Sequence, residues 1–114
     1  MNLLTISQVA TRVDLSAYTL RYYEKIGLIV DVIRDASGKR AYKESHVCFI
    51  NCIKSLRATG MPLKKIKQYG EAYLNNDKDS KKGILIAHRK KILEDLEVFK
   101  EHLTVVEQRI LGES

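Results

Sequence analysis

Cysteine is scarce in this sequence, because Cys48 and Cys52 are the only two among 114 residues. Small secreted domains that depend on disulfides carry more cysteines, so a secretory disulfide framework is excluded. The two thiols lie four residues apart in a helical pattern, which would place them on one helix face, one turn apart. We expect both to be reduced in a cytoplasmic protein.

Long apolar runs are also missing. No stretch approaches the ~20 consecutive apolar residues that a membrane-spanning helix needs. The first five residues have neither the basic segment nor the apolar core of a signal peptide. The sequence therefore predicts no membrane span, no signal peptide and a cytoplasmic location.

Catalytic and metal-binding motifs are the third absence. The sequence has no Ser/His/Asp constellation, no paired acidic motif, no glycine-rich phosphate loop and no metal-ligand spacing. We therefore expect neither an enzyme nor a bound cofactor or metal ion. What the chain does have is positive charge, with a formal net charge of +6 and a pI near 9.4. Such an excess favours a polyanion, either nucleic acid or an anionic membrane surface, without deciding between them.

A pair of short helices is predicted near the N-terminus. Thr5–Gln8 forms a capping box, and apolar residues then recur at helical spacing, at Ile6, Val9, Ala10 and Val13. After a short break, Ser16 is a good N-cap for a second helix, which ends near Gly27. Two short helices joined by a tight turn form a helix-turn-helix.

A β-hairpin is predicted next. Leu28–Ile33 is rich in β-branched residues, Asp35–Gly38 has turn chemistry, and Lys39–Tyr42 forms the returning strand. We expect the charges near the tip to point outward, and these are Arg34, Lys39 and Arg40. A basic hairpin beside a helix-turn-helix is typical of a wing that lies along the DNA backbone, although a charged run can also be merely a solvated surface.

Three more helices are predicted after the hairpin. The first runs from Glu44 to Thr59 and is ended by Gly60, and the second begins at Pro62. Residues 75–80 are polar and of loop type. The last helix runs from Ser80 to Leu111, and its apolar residues are spaced at alternating steps of four and three: Ile92, Leu96, Phe99, Leu103, Val106 and Ile110. This heptad pattern predicts a dimerising coiled coil; the alternative is a helix folded back onto its own domain.

The second helix, Ala17–Lys25, is the candidate recognition helix. Residues at the N-terminal end of such a helix face base edges in the major groove. We therefore expect Ala17, Tyr18 and Thr19 at the bases, and Arg21 and Tyr22 at phosphates. Tyr23 is expected to pack inside the domain. From the wing, we expect contacts to the DNA backbone by Lys39, Arg40 and Tyr42.

Several segments resemble the MerR family of transcriptional regulators, namely Thr5–Ala10, Thr19–Leu28, Arg34–Tyr42 and Leu56–Ile66. The resemblance implies a mainly α fold with a small β-hairpin: a winged helix-turn-helix DNA-binding domain over residues 1–75 and a long antiparallel coiled-coil dimerisation helix over 80–112. It also implies a homodimer on a palindromic operator in double-stranded promoter DNA. Such regulators distort an overlong promoter spacer so that RNA polymerase can engage both promoter elements. Pro62 and Lys43 depart from the residues common in the family without threatening the fold.

The resemblance also bears on what the chain senses. No cysteine follows Cys52, so the thiolate metal site of the metal-sensing branch is not expected, and the sequence ends at Ser114 without the effector domain of the drug-binding branch. Cys52 resembles the sensor of the branch that responds to aldehydes and thiol stress, with Lys54 and Arg57 as nearby cations. The alternative is that Cys52 is a packed apolar residue, as we expect for Cys48. A different functional class is a non-sensing architectural or excisionase-like DNA-binding protein.

Overall fold

The computed structural model describes residues 2–113, which separate into two compact units, one up to Glu71 and one from Ala72 onward. The elements, in chain order, are β1 (Leu4–Thr5), α1 (Ile6–Val13), α2 (Ala17–Lys25), β2 (Ile33–Arg34), β3 (Arg40–Tyr42), α3 (Glu44–Ala58), α4 (Leu63–Leu74) and α5 (Lys78–Gly112). The predicted fold class, mainly helical with a small antiparallel sheet and a long last helix, is confirmed. Within the described chain, no helix has the length and apolar character needed to cross a membrane.

The helix pair α1 and α2 begins as the sequence predicts. The amide of Gln8 donates to the Thr5 hydroxyl at 3.1 Å, and the amide of Thr5 donates to the Gln8 side chain at 2.8 Å, which completes the capping box. Asp14 ends α1 in the left-handed conformation, with φ of 55°. The amide of Thr19 then donates to the Ser16 hydroxyl at 3.0 Å, which caps α2.

The sheet has three antiparallel strands in the order β1-β3-β2. The hairpin of β2 and β3 is confirmed, whereas β1, which pairs with β3 through Leu4 and Tyr42, was not expected. The predicted strand over Leu28–Ile33 is largely wrong. The amide of Leu28 donates to the Tyr23 carbonyl at 2.8 Å and so belongs to the end of α2, and Asp31 has a φ of 60°, which interrupts an extended chain.

The core of the N-terminal unit is apolar and drawn from every helix of that unit. Its largest completely buried side chains are Tyr42, Leu20, Ile29, Ile50, Ile53, Met61, Ile66, Val9 and Val13. Gly60, with a φ of 87°, ends the segment after α3, and the Pro62 carbonyl accepts from the amide of Ile66 at 3.0 Å at the start of α4. These positions confirm the predicted helix break. The burial of core residues from both α1–α2 and α3–α4 fixes the helix-turn-helix in its unit.

The second unit is dominated by α5. Asp77 caps it by accepting from the amide of Ser80 at 3.1 Å and from the Ser80 hydroxyl at 2.6 Å. Because of this cap, the helix begins at Lys78, slightly before the predicted start at Ser80. No described side chain of α5 is buried. The apolar heptad residues of the single chain are therefore exposed. They include Leu96, Phe99, Leu103, Val106 and Ile110.

Candidate nucleic-acid interface

Helix α2 divides its side chains between the core and solvent. Leu20 and Tyr23 are buried, so the expected packing role of Tyr23 is confirmed. On the other face, Arg21 is exposed, and the rings of Tyr18 and Tyr22 are 76% and 44% exposed. Aromatic rings this exposed contribute little to a core, which leaves them available to a partner.

Two smaller residues lie at the N-terminal end of the same helix. Ala17 and Thr19 are half-buried. The Thr19 hydroxyl is 2.9 Å from the Ser16 hydroxyl, so it is engaged in the helix cap. Its methyl group therefore remains as the part of the side chain suited to an apolar contact.

A shallow groove joins α2 to the returning strand of the hairpin. Its volume is about 380 Å³, and it is lined by Tyr18, Arg21, Tyr22, Lys25 and Arg40. A second groove, of about 530 Å³, lies between the start of α1 and the hairpin, lined by Thr5, Ile6, Ser7, Arg34, Asp35, Gly38, Lys39 and Arg40. Arg40 lines both grooves, so the structure brings the predicted recognition helix and the wing to adjoining grooves that share this arginine.

The hairpin tip is held by one carboxylate. Oδ1 of Asp35 accepts from the amides of Ser37 and Lys39, both at 2.9 Å, and from the Ser37 hydroxyl at 2.7 Å. The bond from the Ser37 hydroxyl, followed by that from the Lys39 amide, lowers the pKa of Asp35. Lys39 is thus carried, exposed, on an ordered turn.

The sequence predicts that the two arginines of the hairpin point outward. In the structure, both instead approach a carboxylate of α2. Nε of Arg40 donates to Oε2 of Glu24 at 2.8 Å, and Nη2 of Arg34 is 3.8 Å from Oε1 of the same carboxylate. We call these three residues the Glu24 cluster. Sequence reasoning missed Glu24, although an acidic residue in the candidate recognition helix was a visible signal.

The prediction that Tyr42 contacts DNA is wrong. Tyr42 lies in the central strand of the sheet, and its side chain is completely buried. Its ring meets His46 edge-on, with centroids 5.8 Å apart. Burial, followed by the charge of Glu24, raises the pKa of the Tyr42 phenol. Tyr42 therefore packs in the core beneath the hairpin, and its side chain is not accessible to a phosphate.

The cysteines lie on α3. Cys48 is exposed and Cys52 is partly exposed. The ammonium of Lys54, one of the two cations expected near Cys52, donates to the Val13 carbonyl. Residues two apart on a helix point in different directions, so Lys54 and Cys52 do not share a face of α3. Among residues 2–113, no group of His, Cys, Asp and Glu is arranged to hold a metal ion.

Comparison with known proteins identifies the domain that this surface belongs to. Residues 4–72 match the model of the MerR helix-turn-helix family of regulatory proteins. The chain belongs to the MerR family. The resemblance noted in the sequence is thereby confirmed, and the relatives that the chain matches are named as HTH-type transcriptional regulators.

Two relatives from Bacillus subtilis illustrate the likeness. The chain is 46% identical to the uncharacterized HTH-type regulator YyaN over 69 residues, which are 60% of this chain and 50% of that protein. It is 37% identical to the HTH-type regulator AdhR over 93 residues, which are 80% of this chain and 66% of AdhR. This MerR-family chain thus spans between half and about two thirds of the length of these relatives.

Solved structures extend the likeness to the whole fold. HiNmlR, described as a MerR family regulator lacking the sensor domain and bound to promoter DNA, matches with a TM-score of 0.75 and 27% identity, over 96% of this chain and 88% of that one. A MerR family regulator from Bacillus thuringiensis matches with a TM-score of 0.72 and 27% identity, over 97% and 99%.

Proposed function

We propose that this MerR-family chain binds double-stranded promoter DNA as a homodimer in the cytoplasm and regulates transcription by distorting an overlong promoter spacer. The observation that carries the proposal is the groove that joins exposed residues of α2 to Arg40 of the hairpin. An α-helix fits the major groove of B-DNA, and a basic hairpin beside it reaches the flanking backbone. HiNmlR, at 27% identity, is a relative seen on promoter DNA.

The residues divide between the bases and the backbone. Ala17, Tyr18 and the Thr19 methyl lie in the first turns of α2, where they would meet base edges. Phosphate contacts fall to the exposed Arg21, Tyr22 and Lys39 and to the partly buried Arg40. Contacts to phosphates position the protein without specifying sequence, so these two sets should respond differently to substitution.

DNA binding is tested with the duplex upstream of the gene that encodes this chain. Arg21→Ala and Arg40→Ala should each weaken binding across sequences and reduce the salt dependence of log K by about one unit for each phosphate that is no longer bound. Lys90→Ala, an exposed change on α5, is the matched control. Unchanged affinity in both arginine variants would refute this placement of the interface.

Dimerisation would cover the heptad residues of α5. An exposed apolar stripe on a helix of 35 residues is typical of a coiled-coil seam. Leu96→Glu combined with Leu103→Glu should convert a dimer into a monomer in sedimentation experiments, whereas Lys90→Glu should not. A wild-type monomer that still binds DNA would instead favour the architectural or excisionase-like class.

Distortion of the spacer is the proposed route to regulation, with RNA polymerase as the functional partner. Bending DNA costs energy that depends on its sequence, and extensive phosphate contacts on both half-sites would offset that cost. Transcription in vitro should be stimulated on the natural promoter, and the stimulation should disappear when its spacer is shortened to the length that polymerase prefers. Equal stimulation at both lengths would contradict spacer distortion.

Modification of Cys52 is the proposed switch. The support is a partly exposed thiol on α3, within the unit that carries the DNA-binding surface. Methylglyoxal or formaldehyde should change promoter-dependent transcription by the wild type and not by Cys52→Ser. Cys48→Ser is the matched control, because that exposed thiol lies one turn away. An equal response in Cys52→Ser would end the proposal.

A further inference from the structure

The Glu24 cluster places a carboxylate against two arginines that line the grooves of the candidate interface. Arg40 lines both grooves of the candidate interface, and Arg34 lines one of them. The side chain of Glu24 is 25% exposed and that of its partner Arg40 is 23% exposed. A negative charge at this depth, so near to the path of the phosphates, opposes DNA binding by simple electrostatics.

The contacts of Glu24 join the recognition helix to both strands of the hairpin. Oε2 accepts from Arg40 on β3 at 2.8 Å, and Oε1 is 3.8 Å from Arg34 on β2. Nη1 of Arg34 also donates to the Gly38 carbonyl at 3.2 Å, which extends the connection to the turn. One carboxylate of α2 thus contacts the two arginines that bracket the tip.

The geometry of the Arg40 guanidinium determines which of its nitrogens the bond to Glu24 leaves available to a phosphate. A guanidinium has five N–H donors in a planar fork, and the bond to Glu24 is made by Nε. The two outer nitrogens, at the end of the fork, can together form a bidentate contact with a phosphate. Fixing Nε therefore orients the outer edge of the fork without occupying it.

We infer that Glu24 is a positioning residue for DNA binding, which sets the hairpin against α2 so that Arg40 and Arg34 lie where backbone phosphates pass. The inference rests on the proposed function, because it presumes that this surface binds DNA. It differs from a stability role, since partly exposed ion pairs contribute little to folding. It also differs from a simple charge effect, because the two predict opposite changes in DNA affinity when the charge of Glu24 is removed.

The test is Glu24→Gln in the full chain, measured on the duplex upstream of its gene. Removing a negative charge and releasing two arginines would tighten binding if only net charge mattered. If Glu24 positions the hairpin, affinity falls by about fivefold or more, where tenfold corresponds to 1.4 kcal/mol. The salt dependence of log K should also become shallower, by about one unit for each phosphate that an arginine no longer reaches.

Glu71→Gln on α4 is the matched control, because it makes the same change in charge at an exposed position outside the cluster. A double-mutant cycle with Arg40→Ala adds a second measurement: the effect of Glu24→Gln should shrink when Arg40 is absent. Thermal melting of each variant checks that the fold is retained. Glu24→Asp, which keeps the charge, should recover part of the affinity.

Two results would overturn the inference. One is binding by Glu24→Gln that equals or exceeds that of Glu71→Gln, and the other is an undiminished effect of Glu24→Gln in the Arg40→Ala background. Either result leaves the proposed function standing if the wild type binds and Arg21→Ala weakens binding. Failure of the wild type to bind the duplex would overturn the proposed function itself.

Discussion

The ring of Phe49 on α3 lies so close to Gly70 on α4 that a Cβ atom at Gly70 would be 2.8 Å from Cζ of the ring. Gly70→Ala normally favours a helix, but here it forces the ring or the helix to move. We expect the variant to lose about 1–3 kcal/mol of stability through overpacking, measured by chemical denaturation.

Gly83→Ala on α5 is the control for that prediction. No atom lies within 4 Å of a Cβ built at Gly83, so only the helix propensity changes. The free energy of unfolding should rise by about 0.5–1 kcal/mol. If both alanine variants were stabilised alike, the close approach of α3 and α4 would carry no energetic weight.

The cap of the recognition helix is the second feature to test. Ser16 accepts from the Thr19 amide at 3.0 Å, and its removal leaves that donor without its cap. Ser16→Ala should cost about 1 kcal/mol of stability, visible as a lower melting temperature. Ser45→Ala, at an exposed position in the first turn of α3, should change it little. An equal loss in both variants would contradict the capping role.

Local sequence patterns predicted most of the fold because they act within a few residues. Two helix caps, the capping box at Thr5–Gln8 and the Ser16 cap, are interactions within one helical turn. The left-handed conformation of Gly60 is likewise a local property of one residue. The heptad spacing likewise marked α5. What local patterns could not supply was the pairing of β1 with β3, which joins residues far apart in the chain and involves only two residues of β1.

The candidate site divides in the same way. Exposure of Tyr18 and Arg21 followed from the helical period of α2. The burial of Tyr42 did not follow, because it depends on β3 being the central strand of the sheet. The Glu24 cluster also escaped prediction, since the carboxylate and Arg40 are 16 residues apart and meet only in the folded unit.

The Tyr42 hydroxyl supplies the third prediction. It is buried without a hydrogen-bond partner among the described residues, and a buried hydroxyl of this kind costs stability. Tyr42→Phe should therefore leave the melting temperature at neutral pH unchanged or raise it. A clear loss of stability in Tyr42→Phe would show that the hydroxyl makes a favourable bond.

The raised pKa of Tyr42 adds a pH dependence with a definite sign. The ordinary value is 10.0, and burial raises the pKa in the folded state. The unfolded chain therefore releases this proton first, so the wild type should lose stability as the pH rises above 10.0 and on through the folded pKa. Tyr42→Phe should lose less stability over that range of pH. If the melting temperatures of the two proteins fell equally with rising pH, the raised pKa of Tyr42 would be contradicted.

The Asp77 cap of α5 gives the opposite pH dependence. Its bonds from the Ser80 hydroxyl and the Ser80 amide lower the pKa of Asp77 below its ordinary 3.8. The ionised Asp77 therefore stabilises the folded state fully at pH values above 3.8. This contribution is lost as the pH falls through the pKa that Asp77 has in the folded state. Asp77→Asn keeps an oxygen acceptor for the Ser80 amide and does not titrate. The wild type should therefore melt higher than Asp77→Asn at neutral pH, and the difference should shrink below 3.8. A difference that stays constant with pH would mean that the charge of Asp77 does not contribute to the cap.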